Sequence, residues 1–157
     1  MAHRSPSVAE LALPGLLAGV LFSIATALLG RRDSGSAAAA LNAPSHVIWG
    51  ESASEERKFT IRHTLPGVVI NAGAGLFWAA VMEMLFRWST PRGLSKQLFA
   101  GTATSSLAWL VDYHLIPRRL SPGVQDRVSQ RSLLMIHGLF ALGLAFGARL
   151  VGPPVKR

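Results

Sequence analysis

A chain of 157 residues with no cysteine is long enough for one compact domain, and it excludes disulfides, thiolate metal sites and cysteine nucleophiles. Half of its residues are hydrophobic and only 15% are charged, against roughly 25% in an average soluble domain, so the balance points to lipid as the solvent. The net charge of +8 sits in short clusters beside apolar runs, such as Arg31, Arg32 and Arg118, Arg119; such clusters act as topology signals and lipid-phosphate contacts, and without a basic face interleaved with aromatics no nucleic-acid partner is expected.

In chain order, the first span is expected over 8–30. Ser7 and Glu10 form a capping-box pattern at its start, in which serine oxygen and glutamate satisfy backbone N–H groups that have no partner inside the helix. Pro14 lies close enough to that start to be tolerated. The stretch 11–29 carries no charge and is followed by Arg31 and Arg32, which reads as a retained helix. A signal peptide cut near Ala38 to Ala40 is the alternative.

The connection that follows contains Ala37 to Ala40, Leu41, Val47, Ile48 and Trp49, and predicts a short interfacial helix over 36–49, limited by Pro44. Glu51, Glu55, Glu56, Arg57 and Lys58 make a water-facing stretch. The second span, 65–86, would reach roughly 33 Å at a helical rise of about 1.5 Å per residue. Glu83 is explained by Arg87 one turn later. A tight turn over 88–93 leads to Ser95 as a cap. The third span, 98–116, is the most polar, with Thr102, Thr104, Ser105, Ser106 and Asp112; if it does not cross, the chain has three spans. Ser121 and Pro122 could open a surface helix before the fourth span, 132–151, which Gly152, Pro153 and Pro154 close. The expected fold is therefore an all-α membrane protein, one domain of four antiparallel transmembrane helices with an interfacial helix in the first connection.

Four spans place nine basic residues (Arg31, Arg32, Arg57, Lys58, Arg62, Arg118, Arg119, Arg127, Arg131) on one side and seven (Arg4, Arg87, Arg92, Lys96, Arg149, Lys156, Arg157) on the other. The pair directly after the first span favours cytoplasmic first and third connections, with both termini outside.

Small residues mark the packing faces, because helices in lipid associate by close backbone approach and by hydrogen bonds between them. The stripes are Gly67, Asn71, Gly75 and Trp78 in the second helix; Gly101, Ser105, Ala108 and Asp112 in the third; and Gly138, Ala141, Ala145 and Ala148 in the fourth. They are expected to face one another.

The same layout gathers Asn42, His46, Trp49, His63, Asn71, Asp112, His114 and His137 on one membrane side, with four of the five histidines. A carboxylate at the centre of a span costs about 2.5 kcal/mol or more on insertion scales, so Asp112 needs a partner or a purpose. Arg118 or Arg119 could reach back to it, or His137 could accept its hydrogen bond; the alternatives are a catalytic, proton-carrying or metal role, or snorkelling to the interface. Metal candidates are His46, His63, His114, His137 and Asp112, since histidines with a carboxylate suit zinc, iron or copper, and two of the histidines could hold a haem. No two of them have the spacing of a helical binding pair, and no phosphate loop, nucleophile elbow or HExxH pattern occurs.

Two stretches, Leu41, Asn42, Ala43, Pro44, Ser45, His46, Val47, Ile48, Trp49, Gly50 and Val111, Asp112, Tyr113, His114, Leu115, Ile116, Pro117, Arg118, Arg119, Leu120, together with Arg62, His63 and Thr64, resemble a group of small bacterial inner-membrane proteins of similar length and four-span layout. The resemblance implies a bacterial cytoplasmic membrane and brings no activity with it. The leading expectation is a non-enzymatic accessory or scaffold component that packs against lipid, other membrane proteins or itself. A metal- or haem-binding redox component and a small proton-coupled carrier titrating at Asp112 are the alternatives.

Overall fold

The computed structural model describes residues 7–50, 52–86 and 93–151, and among them every regular element is helical. Helix α1 spans Val8–Ser34. Its capping box is present: Ser7 N donates to Glu10 Oε2 at 2.6 Å and Glu10 N donates to Ser7 Oγ at 3.3 Å. Arg31 and Arg32 lie in the last turn, where cations meet the negative end of the helix dipole.

The first connection differs from expectation. In place of one surface helix over 36–49 there are α2 (Ala37–Asn42), a 3-10 turn (Ala43–Ser45) and α3 (His46–Trp49). Pro44 lies in that turn, and without an N–H it cannot sustain an α-helical ladder. The segment is also not superficial: Ala38, Ala39, Ala40 and Ala43 are buried. Ala40 packs on Gly30 of α1, and the Leu41 carbonyl on Gly67 of the next long helix. Runs of alanine facing glycine let the backbones approach, so the segment wedges between two long helices. A single turn, α4 (Ser52–Glu55), follows.

Helix α5 spans Thr64–Phe86 and α7 spans Gln130–Val151. With α1, these are three helices long and apolar enough to cross a membrane. Between them α6 spans Leu94–Leu110 and continues as a π-helical segment, Val111–Leu115. It begins four residues earlier than the expected third span, with Gly93 rather than Ser95 at the cap position. The turn over 88–92, the Arg87 partner proposed for Glu83 and the terminal Gly152, Pro153 and Pro154 lie outside the described residues. In the following connection Ser121 and Pro122 separate two 3-10 turns, Arg118–Leu120 and Val124–Asp126, and start no helix.

α1 lies between α5 and α7, and α6 packs chiefly on α7. A Cβ on Gly15 would lie 2.6 Å from the Leu76 Cα, and Gly19 faces Ala72 at 3.0 Å, so α1 and α5 touch backbone to backbone. Gly143 and Gly147 of α7 press in the same way on Ala18 and Pro14. Residue numbers rise along one helix of each pair as they fall along the other. The seams thus run differently from expectation. Gly101 of α6 meets Ala141 and Ala145 of α7, but Gly75 and Asn71 face α1, Gly67 faces Leu41, and Gly138 faces open space. Gly15 and Gly19 of α1 let α5 meet that helix backbone to backbone, while the Gly101 face of α6 is taken by α7.

Glycine and alanine hold the closest helix contacts, with Phe22, Trp78, Ile136, Phe140 and Leu144 buried beside them, and many further large apolar side chains are left outside. On α1 the buried set includes Gly15, Ala18, Gly19, Ala25, Thr26 and Gly30, while Leu13, Leu16, Val20, Ile24 and Leu28 are exposed. On α5 the exposed residues include Val69, Phe77 and Met84, and on α7 Leu134, Leu142 and Phe146. Folding in water places large aliphatic and aromatic side chains inside; packing in lipid favours small residues between helices.

Candidate functional site in the helix bundle

Helices place their side chains leaning toward their own N-termini. α5 and α6 run in opposite senses, with Phe86 and Phe99 ring to ring at 6.0 Å, so Trp78 and Asp112 lean toward each other. Trp78 is the hydrogen-bonding neighbour of the Asp112 carboxyl. The arginine pairing is not formed: Arg118 donates to Asp126 at 3.3 Å instead.

Next to Asp112, the Tyr113 ring stands edge-on to His137 of α7 at 5.5 Å. Phe22 of α1 and Phe140 of α7 complete an aromatic surround at 5.7 and 6.2 Å. Ser105 of α6 ties the two helices by donating to the His137 carbonyl at 2.7 Å, and its oxygen lies 3.4 Å from His137 Nδ1. Among the described residues, the buried polar atoms of the long helices without a hydrogen-bond partner include His137 Nε2, the Tyr113 hydroxyl, the hydroxyls of Thr26 and Thr104, and Gln97 Oε1. Buried polar groups are nearly always satisfied, and of these the Tyr113 hydroxyl and His137 Nε2 belong to rings in contact with each other. The π segment carries two of the groups, Asp112 and Tyr113, and such segments recur at functional sites.

The other candidates are held elsewhere. Asn71 donates to Ser23 of α1 at 3.3 Å. Asn42 organises the first connection: its amide donates to the Glu56 and Lys58 carbonyls at 2.8 and 3.0 Å and accepts from Thr64 at 2.6 Å. His46 is buried, with Nδ1 2.7 Å from the Ala43 carbonyl. Gly123, at φ 72°, packs on its ring; a side chain would be strained in that backbone conformation. Trp49 donates to the Arg62 carbonyl at 3.0 Å and lies under the Arg62 guanidinium at 5.0 Å. His63 contacts Thr60 at 3.1 Å. His114 is exposed and stacks on Trp109 at 4.3 Å. The proposed ligand set is therefore dispersed, and among the described residues no three His, Asp or Glu side chains converge on a common point.

Sequence reasoning missed several participants. Tyr113, Trp78, Thr26 and Thr104 entered only as spans or packing; Tyr113 was visible as the neighbour of Asp112 in sequence, while Trp78 and Thr26 lie on other helices and gave no signal. It also missed a polar knot at one end of the bundle. Ser129 precedes α7 and its oxygen accepts from Ser132 N at 3.3 Å, while Asp33 accepts from Ser129 N at 2.8 Å and from Ser132 Oγ at 2.5 Å. Arg32 donates to Asp33 at 2.8 Å and to Ser132 at 2.7 Å. The apolar run of α1 ends at Gly30, so Asp33 is outside the segment able to cross a membrane. The Ser132 hydroxyl, then the Ser129 N–H, then Arg32 hold its carboxyl well below the usual carboxylate range. Against protein-family models, curated proteins and solved structures alike, the chain shows no match.

Proposed function

We propose that this is a multi-pass protein of the bacterial cytoplasmic membrane, a four-helix antiparallel bundle in which α6 and its π extension supply the fourth crossing. It serves as a non-enzymatic accessory or scaffold component. The observation that carries this reading is that α1, α5 and α7 are long and apolar enough to cross a membrane and leave large apolar groups exposed along their outer faces, while glycines sit at the closest backbone contacts. The basic residues at the ends of α1 and α6 and the starts of α5 and α7 support a cytoplasmic position for that end of the bundle, with both termini outside.

Two measurements test it. After alkaline carbonate washing the protein should stay in the membrane pellet; recovery as a buffer-soluble monomer without detergent overturns the membrane reading. Gentle detergent extraction should retain a second membrane protein or a further copy of this chain in fixed ratio. A strict monomer with no companion overturns the scaffold role.

A second reading, a small proton-coupled carrier, is favoured by Asp112 lying against Trp78 with the unpartnered Tyr113 hydroxyl and His137 Nε2 close by. Ionisable groups inside a span commonly mark proton routes. Proton flux into liposomes holding the purified protein should fall on Asp112→Asn; equal flux in the two proteins removes this reading. Dispersal of the histidines gives the metal or haem reading no comparable support.

A further inference from the structure

Residues 57–63, which lead into α5, alternate cations with large apolar side chains: Lys58, Phe59, Ile61 and Arg62. Phe59 is 66% and Ile61 84% exposed. In water such exposure forgoes roughly 25 cal/mol for each Å² left uncovered, and this segment is held open with its apolar side chains outward. Asn42 clamps the Glu56 and Lys58 carbonyls and the Thr64 hydroxyl. Thr60 N donates to Thr64 Oγ1 at 3.0 Å, and Trp49 grips the Arg62 carbonyl at 3.0 Å. The clamped backbone lines an open groove of about 560 Å³ with Arg57, Lys58, Arg62 and His63 on its wall. Glu55 and Glu56 share that wall, but a Glu56 oxygen already accepts the Lys58 N–H at 2.8 Å. No ion pair holds Lys58 or Arg62 among the described residues.

The segment stands one turn before Leu65, an exposed apolar residue of α5, and this places it at the level where headgroups meet acyl chains if α5 crosses. Cations facing water beside apolar groups facing hydrocarbon is the arrangement that suits that level. We propose that the groove lined by Lys58 and Arg62 binds the phosphate of an anionic phospholipid while Phe59 and Ile61 enter its acyl region. This rests on the reading of α5 as a span and adds to it a defined lipid site.

The test uses the full chain in mild detergent and native mass spectrometry, with phosphatidylglycerol and phosphatidylcholine of matched acyl chains as probes. Phosphatidylglycerol should be retained preferentially. Lys58→Gln/Arg62→Gln should lower that retention by about fivefold per charge removed, whereas Arg119→Gln, at the same end of the bundle, should leave it unchanged. Lys58→Gln alone removes a side chain with no bond within the described protein, so its loss of about fivefold reads the site even if the double variant fails to fold. Three results overturn the proposal: no preference between the lipids, an equal loss in Arg119→Gln, or displacement of the lipid by millimolar inorganic phosphate, which would mean a free-anion site. All three leave the membrane reading standing; only solubility without detergent removes both.

Discussion

The Asp33 carboxylate at the end of α1 accepts the Ser129 backbone N–H at the start of α7, so one helix caps another across 96 residues of chain. The contact neutralises an N–H that α7 cannot satisfy itself and places a negative charge at the positive end of its dipole. Because folding lowers the Asp33 pKa from its ordinary 3.8, the native state favours the ionised form. Its contribution to stability is fully present above about pH 4 to 5 and drains away as acid protonates the carboxyl. Asp33→Asn should therefore lower Tm in detergent at neutral pH and flatten the fall of Tm between about pH 5 and pH 3. The difference between the two proteins should shrink in high salt, since the group lies near the surface. Parallel pH curves for the two would show that Asp33 is not the cap.

The contact of α1 with α5 allows no added side chain at Gly15, where a Cβ would stand 2.6 Å from a Leu76 backbone atom. Gly15→Ala should cost about 1–3 kcal/mol, as overpacking does. Gly138 has nothing within 4 Å, and Gly138→Ala should be neutral or stabilising by up to about 1 kcal/mol through helix propensity. Thermal unfolding of both variants in one detergent measures the contrast. Similar behaviour of the two would refute the seam.

These two glycines also show how far the sequence could be read. The 3.6-residue spacing of Gly101, Ser105 and Ala108 and of Ala141 and Ala145 marked faces that do meet, because a small-residue stripe declares its own side of a helix. Which partner a stripe meets is a property of the whole bundle. Gly75 had several equivalent small-residue faces to choose from, and α1, read only for length and charge, took it. Asp112 stood out because a carboxylate in an apolar run is rare, but its neighbour Trp78 is 34 positions away and emerges only from the opposite lean of side chains on α5 and α6. Pro44 announced a break in the first connection; its burial followed from Gly30 and Gly67, whose role depends on what approaches them.

Asn42 uses both amide protons and its oxygen to hold 56–64 in place. Asn42→Ala strands two carbonyls and a hydroxyl, and the loss should come to about 2–4 kcal/mol from the bonds and the unsatisfied groups together. Asn42→Asp retains the acceptor and loses both donors, so it should rescue little. Limited proteolysis reads the effect locally: cleavage after Arg57, Lys58 or Arg62 by a trypsin-like protease should quicken in both variants while sites after Arg118 and Arg119 keep their rate. Uniform acceleration at all of these sites would mean that the whole bundle had loosened and that Asn42 is not a local clamp.

Asp112 separates a packing role from a chemical one. If its carboxyl serves only to bond with Trp78, Asp112→Asn keeps an acceptor oxygen of the same shape and should leave Tm within about 1 kcal/mol of the parent, and Trp78→Phe should cost about as much as one lost hydrogen bond, roughly 1 kcal/mol. If it carries protons with Tyr113 and His137, Asp112→Asn should preserve Tm and abolish proton flux, and Tyr113→Phe, which removes an unpartnered hydroxyl from a buried site, should slow flux at equal or higher stability. Stability and liposome flux measured on the same three variants therefore divide the two roles. Flux that is untouched in both Asp112→Asn and Tyr113→Phe would leave the cluster as the glue that joins α5, α6 and α7.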